Sequence, residues 1–199
     1  MSKFHITINR QFGSLGRPIG MKLAQLLGIE FYDRDIVEEA AKELQIPLSV
    51  ASALDEREQG VFTFMKYPLG DGNSKEIKEK LYAMQNKIIM KWAEENSCVV
   101  VGRCADYLLR NKANQFSIFI YAPIEARLRN CVEELGMKET EALKMMNQID
   151  KARYAYHKRY TRFTQKDIES NQIMIDSSLL GVNDTAEMLA QIARKKFKL

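Results

Sequence analysis

Apolar positions run together at residues 4–8, break at Gly13 and Gly16, and resume at Ile19, Leu23, Leu26 and Leu27. The first spacing predicts a buried strand and the second an amphipathic helix, joined by a glycine-rich turn. The same alternation continues down the chain. Gly28 predicts a helix C-cap, residues 29–32 a short second strand, and Ile36, Val37, Ala40, Ala41 and Leu44 a helix that Pro47 stops, with a short helix following to about Leu54. Ile77, Leu81, Met84, Ile88 and Trp92 keep a helical interval over 74–95, with Ser74 as its expected N-cap. Cys98–Val101 and 116–121 predict two buried strands. Pro123 opens a helix over 124–135 that Gly136 ends, and a long charge-rich helix runs from Thr140 to about Tyr160. Ile173–Asp176 is the last predicted strand, and Asn183 is expected to cap a final helix through Ala193. Five strands, each followed by a helix, predict an α/β fold of three layers, α/β/α, around a five-stranded, mostly parallel sheet.

The turn at 11–18 changes this picture from a fold to a site. A strand, a glycine-rich turn and a helix in that order can aim backbone N–H groups at an anion, with the helix N-terminus adding its dipole. Against the phosphate-loop spacing G-x-x-x-x-G-K-[ST], the register places Gln11 at the first glycine, Gly16 at the second, Arg17 at the lysine and Pro18 at the magnesium-binding hydroxyl. Arg17 can reach phosphate oxygens as a planar fork, whereas Pro18 suits a first helical turn and cannot ligate a metal. The alternative is that Gly13 and Gly16 only shape a strand-to-helix turn.

Two further residues stand where open α/β sheets place their chemistry, at the carboxyl ends of strands. Asp33 follows the second strand, where it can also simply cap the next helix. Arg103 follows the apolar run Cys98–Val101 and Gly102; a buried guanidinium there needs an anionic partner, either Asp106 or a ligand.

Bulk properties narrow the rest. The 199 residues fit a single domain, with 46% hydrophobic and 28% charged residues, and no apolar run approaches a membrane span or the core of a signal peptide. Three cysteines without metal-ligand spacing are consistent with a reducing cytoplasm, and two histidines far apart offer no histidine-based metal site. A net charge of +4 does not call for a nucleic-acid partner. Its distribution is more telling, because 150–166 carries Lys151, Arg153, Lys158, Arg159, Arg162 and Lys166 against Asp150, a block that attracts anions. Within it Asp150, Arg153, His157 and Tyr160 share one helical face. The stretch 59–73 mixes glycines with Phe62, Phe64 and Tyr67, and suggests either a mobile lobe or an oligomer contact such as a homodimer.

A phosphate cradle, a lone cation, a carboxylate and an arginine-bearing cover describe phosphoryl-transfer equipment. At this point the sequence resembles the nucleoside monophosphate kinases of the phosphate-loop class, and most closely the cytidylate kinase-like family. The resemblance lies in residues 8–20, Phe31-Tyr-Asp33, Val99-Val-Val-Gly-Arg103 with Ala105-Asp106, Asp150-Lys-Ala-Arg153 with His157-Lys-Arg159, and Ile175-Asp-Ser177. It implies ATP and Mg²⁺ as cofactors and nucleotides as partners. The donor phosphates would lie on Gly13, Ser14, Leu15, Gly16 and Arg17, with Pro18 alongside. Arg103 and Asp33 would serve the acceptor. Arg17, Arg153 and Arg159 would neutralise the transferred group, with Asp150 orienting the latter two. It also implies a helical acceptor-binding lobe at about 34–96 and a lid at about 137–166. The departures from cytidylate kinases are Arg17 and Pro18, for a lysine and a small or hydroxyl residue, and Cys104, for an acid. A binding module with the same fold and no transfer activity is the alternative.

Overall fold

The computed structural model describes residues 3–55 and 73–199; the expectations for the aromatic stretch at 59–73 and for the side chain of Ser74 lie outside the described residues. The elements are β1 (His5–Arg10), α1 (Gly16–Leu27), β2 (Glu30–Tyr32), α2 (Asp35–Glu43), α3 (Leu48–Leu54), α4 (Asn73–Glu95), β3 (Cys98–Val101), α5 (Ala105–Leu108), β4 (Gln115–Tyr121), α6 (Ile124–Glu133), α7 (Glu139–Thr161), β5 (Ile173–Asp176) and α8 (Gly181–Phe197). The sheet has five strands in the order β2-β3-β1-β4-β5, and every neighbouring pair is parallel.

The side-chain period of two decides what each face meets. Phe4, Ile6 and Ile8 point with Val99, Val101, Phe116, Ile118 and Ile120 into one apolar core under α1 and α8. The opposite face is mixed. Cys98 and Val100 pack on Ile89 and Ala93 of α4 and Ala105 of α5, while His5, Thr7 and Asn9 of β1 are also buried there. Hydrogen bonds satisfy that polar stripe, with Gln115 Nε2 donating to Thr7 Oγ1 at 3.2 Å and Gln165 Nε2 to Asn9 Oδ1 at 3.4 Å.

Strand β1 extends two residues beyond the predicted apolar run, because Asn9 and Arg10 continue the ladder opposite Phe119 and Ile120 and are themselves buried. Helix α8 begins at Gly181, ahead of Asn183, and continues beyond Ala193 through Arg194, Lys195 and Lys196, whose charges suit the carbonyl end of a helix. Its last turn is held by Phe197 stacked on Phe4, with ring centroids 4.5 Å apart. All three cysteines are free and buried. No helix among the described residues is long and apolar enough to cross a membrane.

Because β1 lies between β3 and β4, the chain leaving β1 travels toward β2 while the chain leaving β3 crosses to β4. Loops that depart in opposite directions leave a crevice at the carboxyl edge, where such sheets bind ligands.

Candidate functional site

The turn after β1 is fastened through its carbonyls. Arg127 Nε of α6 donates to Phe12 O at 2.8 Å, Asn130 Nδ2 to Gly13 O at 2.9 Å, and Ser177 Oγ to Ser14 O at 2.7 Å. A trans amide points its N–H opposite to its C=O, so these tethers direct the following N–H groups away from α6 and from the turn after β5. Among the described residues, no backbone carbonyl accepts from the amides of Gly13, Leu15, Gly16 or Arg17. Gly13 sits at φ +78°, and a Cβ there would lie 2.8 Å from Arg127 O and 2.9 Å from Cys131 Sγ. A Cβ on Gly16 would meet Arg10 Cβ at 2.7 Å. Each glycine is thus required by a close approach, a stronger reason than loop shape alone. Ser14 is fully buried, its hydroxyl proton shared between the Gln11 and Ile120 carbonyls at 2.9 and 3.1 Å. It is part of the loop's frame, and its side chain does not face the cleft.

The loop opens on a cleft of about 600 Å³ bordered by Gly13, Leu15, Gly16, Arg17 and Pro18 together with Arg10, Arg34, Arg103 and Arg153. Five arginines from β1, α1, the β2–α2 turn, the β3–α5 turn and α7 therefore face one space. Arg17 Nε meets Asp33 Oδ2 at 2.6 Å. This corrects the capping expectation for Asp33. Helix α2 begins after Arg34 with no side-chain cap, and the buried carboxylate turns back to the arginine of the loop instead. Arg103 Nη2 pairs with Asp55 Oδ2 at 2.7 Å and not with Asp106. Gly102, Arg103 and Cys104 all have positive φ, which separates Arg103 from Asp106; the latter faces α7 and bonds His157 Nε2 at 2.8 Å. Arg153 Nη1 donates to Arg10 O at 3.1 Å, which fixes α7 over the end of β1.

Asp150 and Arg159 stand differently from what the resemblance implies. Asp150 Oδ1 accepts from the Phe12 N–H at 2.8 Å and its Oδ2 pairs with Arg127 Nη2 at 2.6 Å. It ties α7 to the loop and to α6; its partners among the described residues are Phe12 and Arg127, not Arg153 or Arg159. Arg159 is half exposed and pairs with Glu79 of α4, a hydrogen bond that raises its pKa. It borders a smaller cavity with Tyr82 and Tyr156, away from the loop. The structure thus brings together Gly13, Leu15, Gly16, Arg17, Pro18, Arg103 and Arg153, with Asp33 behind Arg17, and leaves Arg159 outside.

Sequence reasoning missed Arg10, Arg34, Asp55 and Arg127. Arg10 carried a usable signal, a cation directly continuing a buried strand. Arg127 reads as an ordinary helix cation, and only the contact between α6 and the loop gives it a role.

The residues fit an ATP triphosphate, since loop amides and arginines are suitable donors to phosphate. For magnesium, no group of three histidine, cysteine or acidic side chains occurs among the described residues, and Pro18 offers no oxygen. Magnesium commonly keeps its waters and is held largely by substrate phosphates, so a nucleotide can bring the ion with it.

Comparison with solved structures gives the fold its relatives. An uncharacterized protein from Eubacterium ventriosum ATCC 27560 superposes with a TM-score of 0.73 at 26% identity, over 96% of this chain and 98% of that one. Shikimate kinase from Acinetobacter baumannii, in complex with shikimate, gives 0.55 at 14% identity over 98% and 94%. Shikimate kinase from Bacteroides thetaiotaomicron gives 0.55 at 12% identity over the whole of both chains. The kinase neighbours are similar in fold alone. No curated protein matches the sequence. A family model does, over residues 5–179, from the first residue of β1 through the turn after β5 that holds the loop at Ser14. With that match spanning the loop, the arginine cleft and the sheet that carries them, the chain belongs to the cytidylate kinase-like family.

Proposed function

We propose that this cleft transfers the terminal phosphoryl group of ATP to a small acceptor, a nucleoside monophosphate of the cytidylate type or another small phosphorylated compound. The observation that carries the reading is the convergence of Arg17, Arg103 and Arg153, from three separate elements, on the amides of residues 13–17. Phosphoryl transfer is mostly positioning and charge neutralisation, so fixed cations and backbone donors are its main requirement. The donor phosphates lie on the amides of Gly13, Leu15, Gly16 and Arg17. Arg153 neutralises the group in flight and Arg103 holds the acceptor's phosphate. Asp33 sets the plane of the Arg17 fork at the acceptor side. Asp150 and Arg127 keep the loop open for the nucleotide. Magnesium, carried on the nucleotide, supplies further charge neutralisation. Residues 34–96 serve as the acceptor lobe and 137–166 as the lid.

A second reading, a nucleotide-binding module without transfer, is favoured by Pro18, which removes the usual metal-binding hydroxyl. A nucleotide panel scored for ADP production with and without Mg²⁺ separates the two. Acceptor-dependent, Mg²⁺-dependent ADP supports transfer, and tight nucleotide binding without ADP supports the module.

A further inference from the structure

Arg103 is the most deeply placed cation of the cleft, with a side chain 0% exposed and Nη2 at 2.7 Å from Asp55 Oδ2. Asp55 is held from its other side as well. Gln85 Nε2 donates to Asp55 Oδ1 at 3.2 Å, and Tyr156 OH donates to Gln85 Oε1 at 3.1 Å. The carboxylate therefore closes a relay that joins the β3–α5 turn, α3, α4 and α7. Helix α3 itself gives no reason for an acid at that position. Asp55 is its C-cap residue, where free carbonyls present partial negative charge. Arg103 and Gln85 hold it there, at the wall of the cleft.

We propose that Asp55 is a specificity-determining residue of the acceptor site, a resident counter-ion on Arg103 that a dianionic phosphate displaces and a carboxylate does not. The inference rests on the phosphoryl-transfer reading above. A guanidinium already paired with a tethered carboxylate gains little by exchanging it for a free one of equal charge. A phosphate dianion brings a second charge and a third acceptor oxygen, so for it the exchange is favourable. Asp55 is buried yet lines the cleft, so a phosphate in the cleft reaches Arg103 beside it. The Asp55 carboxylate on Arg103 thus selects phosphate over a carboxylate.

The test titrates methyl phosphate and acetate, at a pH where methyl phosphate is a dianion, into the whole chain with the loop already filled by a non-hydrolysable ATP analogue. The wild type is expected to bind methyl phosphate and to ignore acetate. Asp55→Asn is expected to bind methyl phosphate about tenfold more tightly, the difference between displacing an ion-paired carboxylate and a neutral amide from Arg103, and to admit acetate. Gln85→Leu removes one hold on Asp55 and keeps both charges. It should shift both affinities the same way by less, and it carries the test if Asp55→Asn does not fold. Arg103→Ala should abolish methyl phosphate binding. If Arg103→Ala abolishes binding while Asp55→Asn and Gln85→Leu bind methyl phosphate no better than wild type, the counter-ion inference is overturned and the acceptor reading stands. Binding that Arg103→Ala leaves unchanged, or no binding by any variant, overturns both.

Discussion

Arg17 holds Asp33 through its Nε at 2.6 Å while the rest of the side chain stands half exposed at the cleft. A planar guanidinium can keep a carboxylate on one edge and offer the other to a phosphate, which a lysine ammonium cannot do with the same geometry. Arg17→Lys is therefore expected to lower nucleotide affinity or turnover, and Arg17→Ala to lower affinity further, by about tenfold to a hundredfold for a lost charge-assisted contact. Calorimetric titration with ATP checks the order; tighter binding by Arg17→Lys would mark the loop as a decayed form of the lysine version. At the start of β1, His5 is buried beside Cys98 Sγ at 3.7 Å, and its pKa is pushed down to about 4, first by burial and then by Lys112 and Lys3. A histidine depressed in the fold binds its proton more readily when unfolded. Its contribution to stability is thus full above its ordinary 6.5, falls as pH drops through the interval to about 4, and changes no further below. The loss approaches about 1.4 kcal/mol per pH unit within that interval, or about 3 kcal/mol in all. Urea unfolding of wild type and His5→Gln at the two ends of the interval should show this difference in the wild type and its disappearance in the variant. Equal slopes would contradict it.

At the scale of elements, the loop depends on two helices that are distant from it in sequence. Helix α6 holds its carbonyls through Arg127 and Asn130, and α7 holds its Phe12 N–H through Asp150. Asp150→Asn keeps the shape and removes the charge that anchors Arg127. Breaking a largely buried pair of this kind should cost about 1–3 kcal/mol, less than a fully buried pair because Asp150 is partly exposed. Nucleotide affinity should fall as well, since Arg127 no longer fixes the Phe12 carbonyl; a variant with lower Tm and unchanged ATP affinity would leave Asp150 a purely structural residue. Gly13→Ala should be more damaging than its size suggests. Both the positive φ and the contacts at 2.8 and 2.9 Å oppose a Cβ there, and a loss of about 1–3 kcal/mol in chemical denaturation is expected. Such dependencies are what sequence conceals. The strands were legible because apolar runs in parallel sheets are nearly continuous, and Gly13, Arg17, Asp33 and Arg103 were legible because motif and strand end both point to them. The partners were not. Asp55 lies 48 positions before Arg103 in the numbering and nothing local links them, while Asp106, three residues away, is turned aside by consecutive positive-φ residues. Arg159 was placed by resemblance on the face of a helix that, in the structure, its pairing with Glu79 turns toward α4.

For the whole molecule, one sheet supplies two unlike faces. The aliphatic face under α1 and α8 carries the largest apolar cluster among the described residues. The other carries His5, Thr7, Asn9 and Ser117, of which Asn9 and Ser117 meet the chain beyond α7 through Gln165 and Ser170, and α7 itself is tied to the body by polar contacts such as His157–Asp106 and Arg153–Arg10. Satisfied polar contacts specify position strongly while contributing less net stability than apolar burial, which suits a helix whose arginine must be placed accurately. In the proposed function, residues 13–17 and Arg153 together cradle the phosphates of ATP, and a crystal structure with a non-hydrolysable ATP analogue decides the matter. Phosphate oxygens are expected within hydrogen-bond distance of the amides of Gly13, Leu15, Gly16 and Arg17, with Arg153 on the terminal phosphate. A nucleotide bound elsewhere, or a loop whose amides turn away from it, would rule this site out.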